Sequence, residues 1–283
     1  MISRAHAPRG GVQQAPHTLS RGESIDLRTG DEELGVDFAI ILLVSVAISF
    51  AAQRLVLMSV LIPAALALRM LLWRKLMRAT PRQLGVELLF IALCALLAGF
   101  NDWNSVVRHG IYAYDVPVFF PQISSIPFWM LLYWGLILRF LLTLALWRRL
   151  GVSREIPSET RLGPRLISRR PTVRVALLLL LVVVTRQIIY VRYEDPIWSW
   201  LPFLLASAAY VFFFGLRKSD AWLCAFMLLA GPAIEVLYIR VGGLHHYALG
   251  WFGGVPLWIA LWWLLGVLVW KDLGARLLST LRA

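Results

Sequence analysis

The sequence predicts an all-α protein, a polytopic transmembrane helical bundle of about eight spans built from two parallel four-helix repeats. Three observations predict it. The chain of 283 residues is 59% hydrophobic and only 16% charged, with a mean hydropathy of +0.72. That balance excludes an ordinary soluble domain and points to several apolar segments of about 20 residues each. Second, one pattern occurs twice. Asp102 is followed by Gly110 at plus eight and Tyr114 at plus twelve, and Glu235 by Gly243 and Tyr247 at the same steps. Both copies resume, after a loop four residues shorter in the second, with Pro127-Phe128-Trp129 and Pro256-Leu257-Trp258, then the aromatic pairs Tyr133-Trp134 and Trp262-Trp263. Third, the basic residues gather in alternate loops between the apolar runs.

Residues 1–35 are polar and rich in proline and glycine, so a disordered cytoplasmic tail is expected there, with no cleavable signal peptide. The first four-span repeat is read over 36–147. Its spans are Val36 to Ala52, Leu55 to Trp73, Leu84 to about Trp103, and Ile126 to Trp147. Thr80-Pro81 supplies a hydroxyl cap and a first-turn proline to start the third. The stretch from Asn101 to Ser125 is too polar and proline-rich to be helical in lipid and is expected at the interface. A basic cytoplasmic linker, 148–174, joins the halves. The second repeat, 175–272, is read as Val175 to Val191, Trp198 to Leu216, Ala221 to Tyr238 and Val255 to Trp270, with 273–283 as a C-terminal tail.

Orientation follows from charge. Arg74, Lys75, Arg78, Arg82, the linker arginines from Arg148 to Arg174, Arg217, Lys218, Lys271, Arg276 and Arg282 fall on one side of an eight-span chain, against Arg54, Arg108, Arg192 and Arg240 on the other. The positive-inside rule then places both termini in the cytoplasm of a cell with the protein in its inner (plasma) membrane. Even-numbered halves run parallel, so both acid-containing stretches face the outer side. The net charge of +12 is therefore a topology signal, and no nucleic-acid partner is expected. Cys94 and Cys224 lie in apolar runs and read as small core side chains.

Asp102 and Glu235 are the candidate catalytic residues. An acid at the edge of a span is a functional candidate by default, and their equivalence in the repeat brings two carboxyls to related places, as an acid and base pair requires. The plainer alternative pairs Asp102 with Arg108 and Glu235 with Arg240. The candidate substrate-binding residues are His109, Tyr114, Trp129, Trp134, His245, His246, Tyr247, Trp251, Trp258 and Trp263, which crowd the repeated stretches. Aromatic faces suit a flat or polyene-like ligand, or a carbocation, although an aromatic belt at the interface is the ordinary explanation of tryptophans. The histidines lack the spacing of a known metal motif, so no metal and no cofactor are expected. Arg69, Arg139 and Arg186 lie within or near spans, and Arg139 must face protein or water. Glu87 and Asp220, at matching first turns of the third and seventh spans, read as acids suited to the helix dipole. Lys75, Lys218 and Lys271 all sit at span ends, which rules out a mid-membrane Schiff base.

Glu235, Gly243, Tyr247, the run Gly254-Val255-Pro256 and Trp258 together resemble the acid, Gly, Tyr, Val-Pro pattern of the integral-membrane carotenoid hydratases. Acids on duplicated membrane halves are similar to the membrane lycopene cyclases. The resemblance covers about thirty residues per half; Asp102 stands where the pattern has Glu, and the cyclases' Pro-x-Glu-Glu run is missing. It implies protonation of a carbon–carbon double bond in an isoprenoid, followed by water addition or ring closure. The alternative is a non-enzymatic transporter or lipid-binding protein with its site between the halves. Either way the expected partners are the bilayer and a lipophilic small molecule or lipid, and the sequence carries no signal for an oligomeric state.

Overall fold

A computed structural model describes residues 27–150 and 171–283; the first 26 residues and positions 151–170 of the basic linker lie outside the described residues. Among the described residues, eight α-helices follow in order: α1 Asp31–Ala51, α2 Leu55–Leu76, α3 Pro81–Asp102, α4 Phe128–Ala145, α5 Pro171–Arg192, α6 Leu201–Phe214, α7 Lys218–Arg240 and α8 Leu257–Arg282. Two short strands, β1 Tyr112–Tyr114 and β2 His245–Tyr247, pair antiparallel. All the helices but α6 are long and apolar enough to cross a membrane. The protein is a multi-pass integral membrane protein.

Several boundaries differ from the sequence reading. The expected sixth span becomes a 14-residue helix, about 21 Å at 1.5 Å per residue and so shorter than a bilayer core. Asp195 Oδ1 accepts from the backbone of Ile197 and Trp198, holding the preceding segment in a turn, and Gly215 at φ 74° stops the helix. Helix α1 takes in Asp31 to Gly35, assigned above to the tail, because Asp31, Glu32 and Glu33 in its first turn suit the helix dipole. Helix α5 takes in Arg174, counted above as a linker residue, which is buried against Asp272. Helix α8 runs on to Arg282 in place of a tail, with Lys271 Nζ 2.5 Å from Asp220. Beyond Asp102 the chain stays helical through a π-turn, Trp103–Arg108, where a loop was expected. Thr80 and Pro81 do start α3, through a capping box with Gln83.

Helices α4 and α8 form the centre, each packed against several others. Gly135 lets α3 close on α4, since a Cβ there would lie 2.8 Å from the Ile91 carbonyl oxygen. At the end of the bundle where α2 and α4 finish, ion pairs tie the first half together. Arg69 Nε meets Asp37 at 2.8 Å and its Nη2 meets Glu87 at 2.7 Å. Arg139 Nε meets Glu87 at 2.5 Å and its Nη2 meets Glu33 at 2.6 Å. Arg139 thus has its acid partners. Glu87 is a buried bridge between two arginines, not merely a first-turn acid, and Asp220 is likewise buried, against Lys271 and the Arg217 backbone N–H.

Candidate functional site

At the opposite end, the chain past α3 and the chain past α7 turn back and meet. Gly110 and Gly243 make the turns at φ 63° and 53°, in the left-handed region that glycine enters without a Cβ clash. The strands then pair Tyr112 with Tyr247, Ala113 with His246 and Tyr114 with His245. Counted from Asp102 and from Glu235, this register joins plus ten to plus twelve and centres on the two plus-eleven residues. The flanking bonds fall into matched pairs. Asp115 N donates to Leu244 O at 2.9 Å, and Ala248 N to Ile111 O at 3.1 Å. Ile111 N donates to Ser105 O at 2.8 Å, and Leu244 N to Tyr238 O at 3.0 Å.

Strand alternation sends Tyr112, Tyr114, His245 and Tyr247 inward together and leaves His246 outside. The inward set roofs a cavity of about 380 Å³ that both acids line, a volume typical of small-molecule sites. Asp102 is fully buried and accepts three hydrogen bonds, from Tyr112 Oη at 2.5 Å, Tyr114 Oη at 2.7 Å and Trp134 Nε1 at 2.9 Å. Burial first, and then the neighbouring Asp102 charge, push the Tyr112 and Tyr114 phenols well above their ordinary range. Both stay neutral donors, and three donors on two oxygens fit a fixed carboxylate.

Glu235 is held more loosely. Tyr247 Oη donates to its Oε2 at 3.3 Å, and His245 Nε2 lies 3.0 Å from the same oxygen. The imidazole meets the distance for an ion pair but not the alignment for a hydrogen bond. Its Nδ1 has no partner either, although the residue is 95% buried. Oε1 of Glu235 accepts no hydrogen bond from the described residues. The two acids, at matching steps of the sequence pattern, are therefore held unequally: Asp102 accepts three aligned hydrogen bonds and Glu235 one. Burial followed by the Glu235 charge raises the Tyr247 phenol as well.

Trp134 and Trp263 stack at 6.2 Å between ring centroids, and with Trp258 and Trp262 they form an aromatic wall. Deeper in, the hydroxyls of Ser45, Tyr133 and Tyr238 bond to one another in a ring. The turn after α1 closes the roof, as Gln53 Nε2 donates to Gly243 O at 2.9 Å and Asp115 O at 3.3 Å. On the flank the cavity is open. Phe38 and Leu42 of α1 and Phe226 and Leu237 of α7 line it and are also 43–53% exposed on the bundle surface. Helices α1 and α7 close near the roof, where a Cβ on Gly242 would sit 2.9 Å from Ile48 O, and leave a lateral opening below.

Of the residues singled out from the sequence, Asp102, Glu235, Tyr114, Trp134, His245, Tyr247, Trp258 and Trp263 share this cavity. Four do not line it. Trp129 is buried in the core. Trp251 is 71% exposed. His246 faces outward against Asp115 at 2.8 Å. His109 stacks on Tyr190 at 4.4 Å, its imidazole pushed down by desolvation and then by Arg108 and Arg186. The alternative ion pairs are not formed, since Arg240 donates to Gly253 O and Asp102 has the partners given above. Tyr112 and Arg186 were not foreseen as site residues. Tyr112 carried a signal, because it stands at plus ten from Asp102 as His245 does from Glu235. Among the described residues no three His, Cys, Asp or Glu side chains gather as a metal site would require.

The chain matches no protein-family profile, and neither a curated protein nor a solved structure is significantly similar to it.

Proposed function

We propose that the protein is a membrane enzyme performing acid–base chemistry on an isoprenoid or carotenoid-like lipid, and that its site lies at a pseudo-twofold axis between duplicated halves. The observation that carries this reading is the meeting of Asp102 and Glu235 on one aromatic-walled cavity whose flank opens toward lipid. A substrate dissolved in the bilayer enters between α1 and α7 without crossing water. Glu235 donates the proton: it forms a C–H bond with the π electrons of a double bond and leaves a carbocation. The indole faces and the fixed Asp102 carboxylate stabilise that cation. Water then adds and returns a proton to the Glu235–His245 pair, or the cation closes a ring and loses a proton to it.

The test is a lipid profile of cells producing wild-type protein, Glu235→Gln or Asp102→Asn. Both variants are expected to insert and to lose the product. Asp102→Asn also loses stability, about 1–3 kcal/mol, because Asn turns an N–H₂ toward hydroxyl and indole donors. A fully active Glu235→Gln protein refutes the chemistry.

The orientation proposed with it has both termini in the cytoplasm of a plasma (inner) membrane and the ribbon outside, supported by the clustering of basic residues at the end away from the ribbon. A reporter active only outside the cytoplasm, fused after Leu162 in the linker, is then silent; activity there reverses the orientation.

A further inference from the structure

Among the described residues, four arginines are at least 95% buried: Arg69, Arg139, Arg174 and Arg186. The first three each lie against a carboxylate, Asp37, Glu87 or Asp272 among them. Arg186, on α5, meets no carboxylate among the described residues. Its partners are hydroxyls and ring faces. Nη2 donates to Ser105 Oγ at 2.5 Å, and Nε and Nη2 lie 3.4 Å from Tyr190 Oη. The guanidinium sits 5.1 Å from the Trp262 ring centre and 4.9 Å from that of Tyr190. Nη1 donates to no described residue. Ser105 gives its own proton to Asn101 O at 2.8 Å, which leaves its oxygen as an acceptor that orients the guanidinium.

A buried guanidinium is costly unless an opposite charge meets it, and ring faces return only part of that cost. The Asp102 charge is already shared among Tyr112, Tyr114 and Trp134. Arg186 lines the same cavity as Glu235 and His245, and His245, like Trp263 Nε1 in the same lining, is a buried donor without an aligned partner. From this juxtaposition we infer that the cavity takes an amphiphile with an oxyanion headgroup, phosphate or carboxylate, held by Arg186 and His245. Its apolar chain runs past Phe226 and Phe38 to the lateral opening. The inference rests on reading this cavity as the substrate site and narrows the substrate class. A neutral polyene would leave Arg186 unmatched, whereas an isoprenoid or acyl chain ending in an oxyanion matches it. The planar fork of Arg suits two oxygens of either group.

The experiment uses full-length protein in phosphatidylcholine nanodiscs and reads thermal stabilisation by dodecyl phosphate, dodecanoate, dodecanol and inorganic phosphate. The expected result is saturable stabilisation by one or both anionic amphiphiles at concentrations at least about tenfold below dodecanol, the scale of one charge-assisted contact. The better of the two identifies the headgroup. Arg186→Gln should erase the preference while dodecanol binding persists, and Arg186→Lys should retain part of it. Equal response to dodecyl phosphate and dodecanol in wild type overturns the proposal without reliance on any variant. So does a preference that survives Arg186→Gln, or inorganic phosphate that does as well as dodecyl phosphate. Glu235→Gln protein should keep the preference, so an active Glu235→Gln enzyme with an intact preference refutes the proton chemistry and leaves the oxyanion site standing.

Discussion

Replacing Glu87 by glutamine keeps the shape of the side chain and removes one charge from the buried ionic cluster. If Glu87 were only an acid near a helix N-terminus, the loss would be at most about 1 kcal/mol. The geometry sets a larger value. Its Oε1 receives Arg69 at 2.7 Å and Arg139 at 2.5 Å, with Arg282 at 3.9 Å from Oε2, and the carboxylate is 1% exposed. Glu33, Asp37 and Glu87 balance Arg69, Arg139 and Arg282; without Glu87, those three arginines share two acids. Removing one partner of a buried pair costs about 3–5 kcal/mol, which is a fall in Tm of about 6 to 20 °C for a chain of this size class. The assay is direct, because Cys94 and Cys224, the chain's two cysteines, are both buried. A thiol-reactive dye lights up only as the helices separate. Exposed Glu194→Gln serves as control, with an effect within about 0.5 kcal/mol. Adding Arg69→Met to Glu87→Gln restores charge balance, so the pair should cost less than the sum of the single changes. A Glu87→Gln protein that melts within about 3 °C of wild type refutes the claim that this cluster holds α1 to α4 together.

Gly231→Ala would place a methyl 2.4 Å from Trp263 Cδ1. The displaced indole leaves its stack on Trp134, and overpacking of about 1–3 kcal/mol should appear in the same dye assay together with weaker ligand binding. Tyr112, Tyr114 and Tyr247 should stay protonated in the folded protein when absorbance near 295 nm is followed past pH ~10, the ordinary phenol value. The sign follows from linkage: phenols raised in the folded state contribute stability that is complete below the unfolded value and is lost as pH climbs through the raised one. All eight tyrosines titrating reversibly near pH ~10 before unfolding would contradict the burial of those three.

Much of the membrane architecture was legible because lipid imposes a one-dimensional rule: apolar runs of sufficient length become helices, and Thr80 with Pro81 marks one start by local hydrogen bonding. Where a boundary failed, the missing information was a partner distant in sequence. Helix α8 continues past Trp270 because Lys271 and Asp272 find Asp220 and Arg174 on neighbouring helices, and no local pattern announces that. The same holds for Glu87, whose first-turn position is local but whose arginines arrive from α2 and α4.

In the site, the spacing from Asp102 to Tyr114 and from Glu235 to Tyr247 was enough to bring each tyrosine to its own acid, because a glycine turn followed by a strand fixes where plus twelve points. Sequence by itself determined the apolar class, most of the helices, the paired acids and their tyrosines, all set by composition and short-range geometry. Tertiary structure alone decided that Asp102 is fixed by Tyr112, Tyr114 and Trp134 while Glu235 keeps a free oxygen, that Trp251 and His246 face away, and that Arg186 enters the cavity without an acid. Hydrogen-bond donors and counter-charges are supplied by helices far apart in the chain, and only their packing determines which group is satisfied and which is left for a ligand.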